Sequence, residues 1–467
     1  MKDTRLRKVD VAVIGAGTAG LAAYRAAVKQ GKDALLIEAG AYGTTCARVG
    51  CMPSKLLIAA GEAAHHARHA QPFGVTATVK VDGRAVMDRV LRERDRFVGF
   101  VLESVDNIPA AHRLTGRARF LSRHELDVDG VRVEARTVVI ATGSSPFVPD
   151  MFDKIRDRLV VNDDVFGWED LPASLVVFGA GVIGLELGQA LHRLGVRLRI
   201  FGRGGAVGPL RDPVVKEAAR VALKAELPVD FDPKVLSVEP EGERAVAVRF
   251  IDAEGNEKVE HFDAALVAAG RRANVQNLGL ENVDVPPDAT VDRTTLRWGN
   301  TNLFVAGDAN NDIPLLHEAA DEGTIAGENA ALYPDVRSGK RRTPLAIAFT
   351  EPVLAVVAEG YPAVEARGPY VAGLVDFGDQ GRSRIMLQNK GAARLYADPV
   401  TRRFLGAEMA GPRADHLAHL LAWSHQAELT IDQMLAMPFY HPVVEEGLRT
   451  ALRDIAAKLD SAAARSS

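Results

Sequence analysis

The sequence has little cysteine, no long apolar run and no excess of charge of one sign. Two cysteines among 467 residues cannot build the disulfide framework of a small secreted fold. No uninterrupted apolar stretch approaches the ~20 residues that a helix needs to cross a bilayer. Lys plus Arg number 57 and Asp plus Glu number 61, for a formal charge of −4. We therefore expect a cytoplasmic protein whose main partner is neither nucleic acid nor a membrane.

The chain is long enough for about three domains of ordinary size. Its 47% apolar and 25% charged residues are typical of a soluble globular protein and exclude a wholly disordered or collagen-like chain. The apolar run 9–16 could pass for a short signal core, but it leads into three closely spaced glycines, which favour a tight turn. The tail 461–467 lacks anchoring apolar residues, so we expect it to be loose.

A nucleotide-binding signal occupies the start of the chain. Residues 9–14 form a β-rich apolar run, typical of a strand buried on both faces. A G-x-G-x-x-G turn follows, then a helical pattern over 21–30 and a second strand over 34–37 that ends at Glu38. Such glycines let the backbone approach a pyrophosphate at the helix N-terminus, and the acid accepts hydrogen bonds from ribose hydroxyls. This context favours dinucleotide binding over a purely structural turn. The turn glycines are Gly15, Gly17 and Gly20.

The same signal occurs a second time. Residues 175–178 read as a strand, a second G-x-G-x-x-G turn leads into a helix through Leu194, and residues 197–201 read as the next strand. Two such units predict two dinucleotides, or a duplicated fold in which one site has been lost. The second set of turn glycines is Gly179, Gly181 and Gly184.

The two units differ at the end of the second strand. Glu38 lies 23 residues after the first glycine of its turn. The same offset in the second unit reaches Gly202, with Arg199 and Arg203 nearby. A carboxylate there would repel a ribose 2′-phosphate, whereas arginines would bind one. The second site therefore favours NADP(H), unless these arginines only decorate a solvated strand end.

Both cysteines of the chain, Cys46 and Cys51, follow directly after the first unit. Two thiols lack the further ligands of a structural zinc site, so we predict no metal. Inert buried thiols are an alternative, but an accessible pair closing a short loop next to a nucleotide site favours a reducible, catalytic disulfide. A helix that begins near Cys51, with Lys55 close by, would favour the thiolate form of Cys51.

These motifs resemble those of the flavin-dependent (class I) pyridine nucleotide–disulfide oxidoreductases, and within that family the dihydrolipoamide dehydrogenases most. The resemblance covers essentially the whole chain. The family's C-x4-C-x-P-S-K element is matched at 46–55 and its Ala-Thr-Gly crossover at 138–143. Its second flavin element is similar to 301–308, and 315–323 is closer to the dihydrolipoamide dehydrogenase form than to that of glutathione reductase.

The resemblance implies an α/β fold with two Rossmann-like dinucleotide-binding domains, for FAD and NAD(P), and a C-terminal α+β dimerisation domain. The predicted order is an FAD-binding domain at 1–150 with a helical insert around 52–105, an NAD(P)-binding domain at 151–270, a return to the FAD domain at 271–342, and a dimerisation domain at 343–467. In the last of these, helices are expected over 414–428 and 444–459.

The resemblance also assigns the cofactor contacts. The residues expected to contact FAD are Gly15, Gly17, Gly20, Glu38, Thr45, Ala141, Thr142, Gly143 and Asp308. Those expected to contact NAD(P) are Gly179, Gly181, Gly184, Arg203 and Gly270. The nicotinamide is NAD if the enzyme is a true dihydrolipoamide dehydrogenase.

The implied reaction relays electrons between a dithiol or disulfide substrate and NAD(P) through FAD and the cysteine pair. The expected substrate is dihydrolipoamide, as a small molecule or on a lipoyl domain. In the family the active-site lysine pairs with a glutamate beside the flavin. A histidine, held by a glutamate five residues later, serves the active site of the opposite subunit, which implies a homodimer. The candidate catalytic residues are Cys46, Cys51, Lys55, Glu186, His441 and Glu446.

The chain departs from the family pattern at four positions. Thr44 and Ala358 replace glycines, Arg48 replaces an asparagine, and Phe439 replaces a second histidine. Two other functions therefore stay open: an NADPH-dependent reductase of another disulfide, similar to glutathione reductase, and a redox-inert flavoprotein subunit. Mercuric reductases and large thioredoxin reductases are disfavoured because no thiol lies near the C-terminus.

Overall fold

The computed structural model describes residues 6–243, 245–286, 288–358 and 360–466. The chain divides into two compact units. The first unit comprises Met1–Pro53, Leu91–Phe147 and Arg271–Arg342. The second unit comprises Ser54–Val90, Val148–Gly270 and Thr343–Ser467. The four domain segments expected from the sequence stay a prediction.

The chain contains both strands and helices, with several strands in succession between some of the helices. In chain order the strands are β1 (Arg7–Ile14), β2 (Ala34–Glu38), β3 (Arg113–Thr115), β4 (Ala118–Ser122), β5 (Glu125–Val128), β6 (Val131–Ile140), β7 (Ser144–Pro146), β8 (Leu159–Val160), β9 (Ser174–Phe178), β10 (Arg197–Phe201), β11 (Val229–Asp230), β12 (Lys234–Glu241), β13 (Ala245–Ile251), β14 (Glu257–Phe262), β15 (Ala264–Val267), β16 (Arg271–Ala273), β17 (Leu303–Val305), β18 (Leu345–Ala348), β19 (Val353–Ala358), β20 (Val371–Asp376), β21 (Ala392–Ala397) and β22 (Phe404–Gly411). The α-helices are α1 (Thr18–Lys29), α2 (Thr45–Val49), α3 (Cys51–Arg68), α4 (Gly83–Asp106), α5 (Asn162–Val165), α6 (Val182–Arg193), α7 (Pro213–Lys224), α8 (Leu316–Leu332), α9 (Gly360–Arg367), α10 (Gly381–Ile385), α11 (Ala414–Gln426), α12 (Ile431–Leu435) and α13 (Glu446–Ser466).

The first unit is built on a seven-stranded sheet of order β3-β2-β1-β6-β5-β4, with β17 also paired to β6. Strands β1, β2, β3, β6 and β17 pair in parallel, and β4 and β5 form an antiparallel extension. The centre of β1 is fully buried, as expected for a strand covered on both faces. Helices α1 and α8 pack closely because Gly323 and Gly327 have no side chain. A Cβ at these positions would lie 2.2 Å from the carbonyl oxygens of Ala19 and Ala23, respectively.

The second unit contains a parallel five-stranded sheet of order β11-β10-β9-β15-β8 and an antiparallel three-stranded sheet of order β12-β13-β14. Every residue of β9 is buried. This is the second strand–turn–helix–strand unit that the sequence predicts, and it gives the fold its duplicated character.

The C-terminal part of the second unit is an antiparallel sheet of order β18-β19-β22-β21-β20. Helices α11 and α13 supply buried leucines and alanines, and Ile455, to its core. Helix α13 approaches β20 closely because Gly373 has no side chain. A Cβ there would lie 2.0 Å from the carbonyl oxygen of Ala451.

The expected fold class is confirmed, with two Rossmann-like units and a C-terminal α+β region. The helical insert is also present, as α3 and α4. The expectation for the tail was wrong: α13 continues to Ser466, with 461–464 exposed, because the alanines of this segment favour helix even without apolar anchors. Among the described residues no helix is long and apolar enough to cross a membrane.

Candidate active site

The first glycine turn is closed on one side and open on the other. Gly15 has a φ of +104°, and a Cβ there would lie 2.3 Å from the Ala141 carbonyl oxygen. A Cβ at Gly20 would lie 1.8 Å from the Gly15 carbonyl oxygen. At Gly17, which precedes α1 and gives it no side-chain cap, a Cβ would meet nothing within 4 Å. The backbone at Gly17, where α1 begins, therefore borders open space.

Glu38 closes the side of this turn. Its Oε2 accepts the Ala16 N–H at 2.7 Å and its Oε1 accepts the Gly40 N–H at 2.8 Å. The carboxylate thus lies against the glycine turn, at the end of β2. Its contact with a ribose stays a prediction.

The Ala-Thr-Gly crossover lies against the same turn. The Thr142 hydroxyl is buried and forms no hydrogen bond with any described residue. Gly143 has a φ of +67°, and its carbonyl oxygen accepts the Asn274 N–H at 2.9 Å. A helix N-terminus without a cap, an open space beside Gly17 and an unsatisfied buried hydroxyl are what a bound dinucleotide phosphate needs. The residues present therefore fit the pyrophosphate region of FAD.

Asp308 lies in a short 3₁₀ turn, Gly307–Asn310. The Ser144 hydroxyl donates to Asp308 Oδ2 at 2.6 Å. Arg271 Nε in turn donates to Ser144 Oγ at 2.8 Å, and its Nη2 donates to the Ser144 carbonyl oxygen at 2.7 Å. Sequence reasoning missed Ser144 and Arg271, although each directly follows a predicted cofactor glycine, at 143 and 270.

The two cysteines lie at two helix starts. Cys46 is half-buried in α2, just after the exposed Thr45, and the exposed Cys51 is the first residue of α3. Thr44 caps α2 by accepting the Ala47 N–H on Oγ1 at 3.3 Å. It does so with φ 57° and ψ 150°, a backbone conformation that is almost restricted to glycine. The dithiol loop therefore contains a strained residue immediately before its helix.

Arg48, the second departure in this loop, is exposed. Its Nη1 donates to the Ala41 carbonyl oxygen at 3.2 Å. Its Cδ lies only 3.0 Å from the position of a Cβ at Gly43. The stem of Arg48 thus covers Gly43, while its guanidinium bonds to an uncharged acceptor.

In the second unit, Lys55 and Glu186 form a close pair. Lys55 Nζ lies 2.8 Å from Glu186 Oε2, and the other carboxylate oxygen accepts the Phe349 N–H at 2.8 Å. Lys55 Nζ also lies 4.6 Å from the centre of the Phe349 ring. Helices α3 and α6, which carry the pair, approach closely because Gly61 has no side chain. A Cβ there would lie 2.9 Å from the Ala190 carbonyl oxygen. Phe349 is a neighbour that the sequence did not assign to the site.

The second glycine turn repeats the geometry of the first. A Cβ at Gly179 would lie 2.3 Å from the Ala268 carbonyl oxygen, and one at Gly184 would lie 1.9 Å from the Gly179 carbonyl oxygen. Gly181 precedes α6 without a side-chain cap and borders open space. Gly270, in the turn after β15, has a φ of +112°. This turn therefore meets two of the criteria for a dinucleotide phosphate, the uncapped helix start and the open space beside its middle glycine.

The end of β10 differs from the end of β2. The Gly202 N–H donates to the Asp230 carbonyl oxygen at 2.6 Å, and a Cβ at Gly202 would lie 2.7 Å from the Phe231 carbonyl oxygen. Arg203 is exposed beside it. The sequence missed Arg220 of α7, whose Nη1 lies 3.7 Å from the Cβ position of Gly205.

Arg199, the other arginine near this strand end, is engaged elsewhere. It forms an ion pair with Glu260, and its guanidinium lies 4.9 Å from the centre of the Phe250 ring. Arg220 also forms an ion pair, with the exposed Glu217, whereas Arg203 is exposed at the strand end.

His441 and Glu446 form the remaining pair. His441 Nδ1 lies 3.0 Å from Glu446 Oε2 and 3.1 Å from Oε1. The hydrogen bond from His441 lowers the pKa of Glu446, so the carboxylate is ionised near neutrality. The His441 side chain is 82% exposed. The pair therefore fixes one ring nitrogen and leaves the other to solvent or a partner.

The predicted residues are divided between the two units. The first unit contains Gly15, Gly17, Gly20, Glu38, Thr45, Cys46, Cys51, Ala141, Thr142, Gly143 and Asp308. The second unit contains Lys55, Gly179, Gly181, Gly184, Glu186, Arg203, Gly270, His441 and Glu446. Within the described part of the chain, no group of three or more His, Cys, Asp or Glu side chains is placed to hold a metal ion.

Comparison with known proteins covers nearly the whole chain. Residues 9–323 match the pyridine nucleotide-disulphide oxidoreductase family, and residues 345–452 match the dimerisation domain of the same family. A dihydrolipoyl dehydrogenase of Halobacterium salinarum is 30% identical over 455 residues, covering 95% of each chain. A dihydrolipoyl dehydrogenase of Bacillus subtilis is 28% identical, covering 95% of this chain and 97% of the relative. A mercuric reductase of Staphylococcus aureus is 26% identical, covering 95% and 81%.

Among solved structures, the HOCl-induced flavoprotein disulfide reductase RclA from Escherichia coli has the same fold. The TM-score is 0.77 at 22% identity, and the match covers 95% of this chain and 99% of that chain. The family match extends over both glycine turns, the cysteine pair and the Lys55–Glu186 pair. The dimerisation-domain match supports a homodimer. The chain belongs to the pyridine nucleotide-disulphide oxidoreductase family, whose members use FAD and a pyridine nucleotide.

Proposed function

We propose that the protein oxidises dihydrolipoamide, free or on a lipoyl domain, and passes the electrons to a nicotinamide through Cys46, Cys51 and FAD. The observation that carries the proposal is the placement of both cysteines of the chain at adjacent helix starts in the unit that has the first glycine turn. The dihydrolipoyl dehydrogenases among its relatives support this substrate. Because no cysteine follows Cys51 in the sequence, we do not extend the proposal to mercuric ion.

The cysteine pair performs the exchange with the substrate. A substrate thiolate attacks Cys46 of the oxidised pair, the Cys46–Cys51 bond breaks, and Cys51 leaves as a thiolate that the start of α3 stabilises. The second substrate thiolate then attacks the substrate sulfur that is bonded to Cys46. The bond to Cys46 breaks, which releases the oxidised substrate and leaves Cys46 reduced. When bound, FAD supplies a two-electron carrier between the thiol pair and the nicotinamide.

His441 holds and moves the protons of this exchange. With Nδ1 fixed by Glu446, the exposed Nε2 accepts a proton from a substrate thiol and returns it later. We propose that it does so in the active site of the partner subunit, so that only the dimer is active. Large exposed apolar side chains in the same domain, Trp423 and Tyr440, support a contact surface there.

A second candidate is an NADPH-dependent reductase of another disulfide. The strand end of the second nucleotide unit favours it, because Gly202 replaces the acid and both Arg203 and Arg220 lie at the same loop. The exposed Arg48, two residues after Cys46 in the sequence, favours an anionic disulfide such as glutathione disulfide. Steady-state assays with lipoamide and glutathione disulfide, each with NADH and NADPH, separate the two candidates by their kcat/KM values.

Replacing Cys51 tests the dithiol role. The Cys51→Ser variant is expected to retain FAD, because none of the FAD-contact residues changes, and to lose disulfide turnover by at least about 1,000-fold, since the pair cannot reform. Disulfide-dependent oxidation of NAD(P)H measures the loss, and the flavin absorbance of the purified variant is its control. Turnover equal to that of an active wild type would refute the role of the cysteine pair. A wild type that oxidises neither nicotinamide with either disulfide would instead favour the redox-inert flavoprotein.

A further inference from the structure

One buried carboxylate of the first unit has no role in the reaction described above. Glu322 of α8 is 1% exposed. Its Oε2 accepts two hydrogen bonds, from the Gly307 N–H at 2.7 Å and from Asn310 Nδ2 at 2.7 Å. These donors are the first and last residues of the 3₁₀ turn that contains Asp308. A single oxygen atom of Glu322 therefore ties both ends of that turn.

This arrangement fixes where Asp308 points. The turn has only four residues, so two bonds at its ends prevent it from rotating about the end of β17. The Asp308 carboxylate is held separately by the Ser144 hydroxyl at 2.6 Å. We propose that Glu322 is the positioning residue that orients Asp308 for its expected contact with FAD; this inference rests on the proposed function, in which the protein binds FAD.

The charges around Glu322 do not balance. Arg341 Nη2 lies 2.8 Å from Glu322 Oε1, but this contact lacks the geometry of a hydrogen bond. Arg341 also pairs with Glu318 and, at 3.0 Å, with Asp312. Asp312 in turn has Arg293 at 3.0 Å. Three carboxylates thus share two guanidinium groups, and the two glutamates are almost completely buried.

The consequence is that Glu322 titrates near neutral pH. Burial raises the pKa of Glu322 to about 7, and the neighbouring carboxylates of Asp312 and Glu318 act in the same direction. Arg341 and the Gly307 N–H act in the opposite direction. Within the described residues, the side-chain amide of Asn310 also donates a hydrogen bond to Glu322, and this amide carries no charge.

Protonation is then expected to have two opposite effects. A neutral carboxyl accepts hydrogen bonds more weakly than a carboxylate, so the hold on Gly307 and Asn310 weakens as the pH falls through about 7. For folding, a carboxyl with a raised pKa contributes stability that is present below its ordinary pKa and is lost as the pH rises through the folded value. Acidification from pH 8 to 6 should therefore loosen FAD while this carboxyl makes the fold more stable.

The test measures FAD release from the holoenzyme. After dilution, the rise in flavin fluorescence gives the release rate at pH 8 and at pH 6. Wild type is expected to release FAD about tenfold faster at pH 6, the difference between two charged and two neutral hydrogen bonds. Glu322→Gln keeps the acceptor oxygen without its charge, so at pH 8 it should release FAD about tenfold faster than wild type. Its own release rate should change little between pH 8 and pH 6.

Two further variants separate positioning from general destabilisation. Asn310→Ala removes one of the two bonds, so it should release FAD about threefold faster and keep the pH dependence. Glu318→Gln lies on the same helix, is equally buried and shares Arg341, but it bonds to neither end of the turn, so its release at pH 8 should stay within about twofold of wild type. With FAD removed from both proteins, thermal unfolding at pH 8 should give a higher Tm for Glu322→Gln than for wild type, because the variant does not bury the carboxylate charge.

The outcomes are distinct. Wild-type release rates and wild-type pH dependence in Glu322→Gln would overturn this inference alone. If that variant does not fold, an unchanged release rate in Asn310→Ala overturns it instead. A wild-type protein that binds no FAD would overturn the proposed function as well.

Discussion

The two glycine turns of this protein have almost the same backbone geometry. They differ in the residue at the end of the strand that follows each turn and its helix. In the first turn the distances from ideal Cβ positions to the blocking carbonyl oxygens are 2.3 and 1.8 Å, and in the second they are 2.3 and 1.9 Å. The middle glycine of each turn borders open space. At the strand end, however, Glu38 offers a carboxylate, whereas Gly202 packs against the backbone of Phe231.

This difference shows which parts of a dinucleotide site are dictated by the turn. The first and third glycines are required by the fold itself, because any Cβ there would overlap a carbonyl group. The residue at the strand end is set by its own surroundings. With backbone atoms of Phe231 only 2.7–3.0 Å from a Cβ at Gly202, no carboxylate could stand there unless the neighbouring chain moved. We therefore expect the choice between NAD and NADP at the second site to depend on the loop that follows Gly202.

The largest expected effect comes from filling the third glycine. Gly20→Ala and Gly184→Ala each force a Cβ into a carbonyl group of the same turn, which costs about 3 kcal/mol or more of local stability. Gly20→Ala should abolish FAD binding. Gly184→Ala should keep FAD and weaken the nicotinamide at least about 100-fold. Flavin absorbance of the purified variants and titration with NADH and NADPH measure both losses.

The control for each variant is a measurement on the unit that it leaves unchanged. Each variant should leave the other unit intact, since the two turns are built from separate sheets. Loss of FAD from Gly184→Ala, or tight FAD binding by Gly20→Ala, would contradict the comparison.

A smaller effect is expected at the second strand end. Arg203→Ala and Arg220→Ala should each lower kcat/KM for NADPH about tenfold and leave kcat/KM for NADH nearly unchanged, because only NADPH has the 2′-phosphate that a guanidinium can bind. Steady-state kinetics with both coenzymes measures the split. Arg199→Ala is the matched control, since that guanidinium is paired with Glu260. Equal losses with both coenzymes would count against phosphate recognition.

The smallest effect on stability is expected at the middle glycines. Gly17 has φ −75° and Gly181 has φ −76°, and neither Cβ would meet a neighbour. Gly17→Ala and Gly181→Ala should therefore raise the unfolding free energy of the ligand-free protein by about 0.5 kcal/mol, because alanine restricts the unfolded chain. Denaturant unfolding of the apoprotein checks this. A loss of more than about 1 kcal/mol would show that these glycines serve the fold as well as the ligand.

The departures from the family pattern show where sequence reasoning stops. Thr44 and Ala358 stand where the family has glycine, and the structure keeps a glycine-like backbone at both, with φ of 57° and 60°. The sequence marks these positions as unusual but does not reveal that the backbone was retained. At Thr44 part of the reason is visible, since the Thr44 hydroxyl caps α2. The surrounding structure imposes the conformation, and the local sequence does not.

The sequence by itself determined the two strand–turn–helix units, the cysteine pair at a helix start and the C-terminal α+β region. Each depends on spacing between neighbours in the chain, and spacing of a few residues fixes turns and helix starts. Only the tertiary structure decided the partners of Asp308, the arrival of Arg220 at the loop after Gly202, and the hold of Glu322 on its turn. Those contacts join residues from separate helices, strands and turns, and their pairing depends on how these elements pack, which no local pattern encodes.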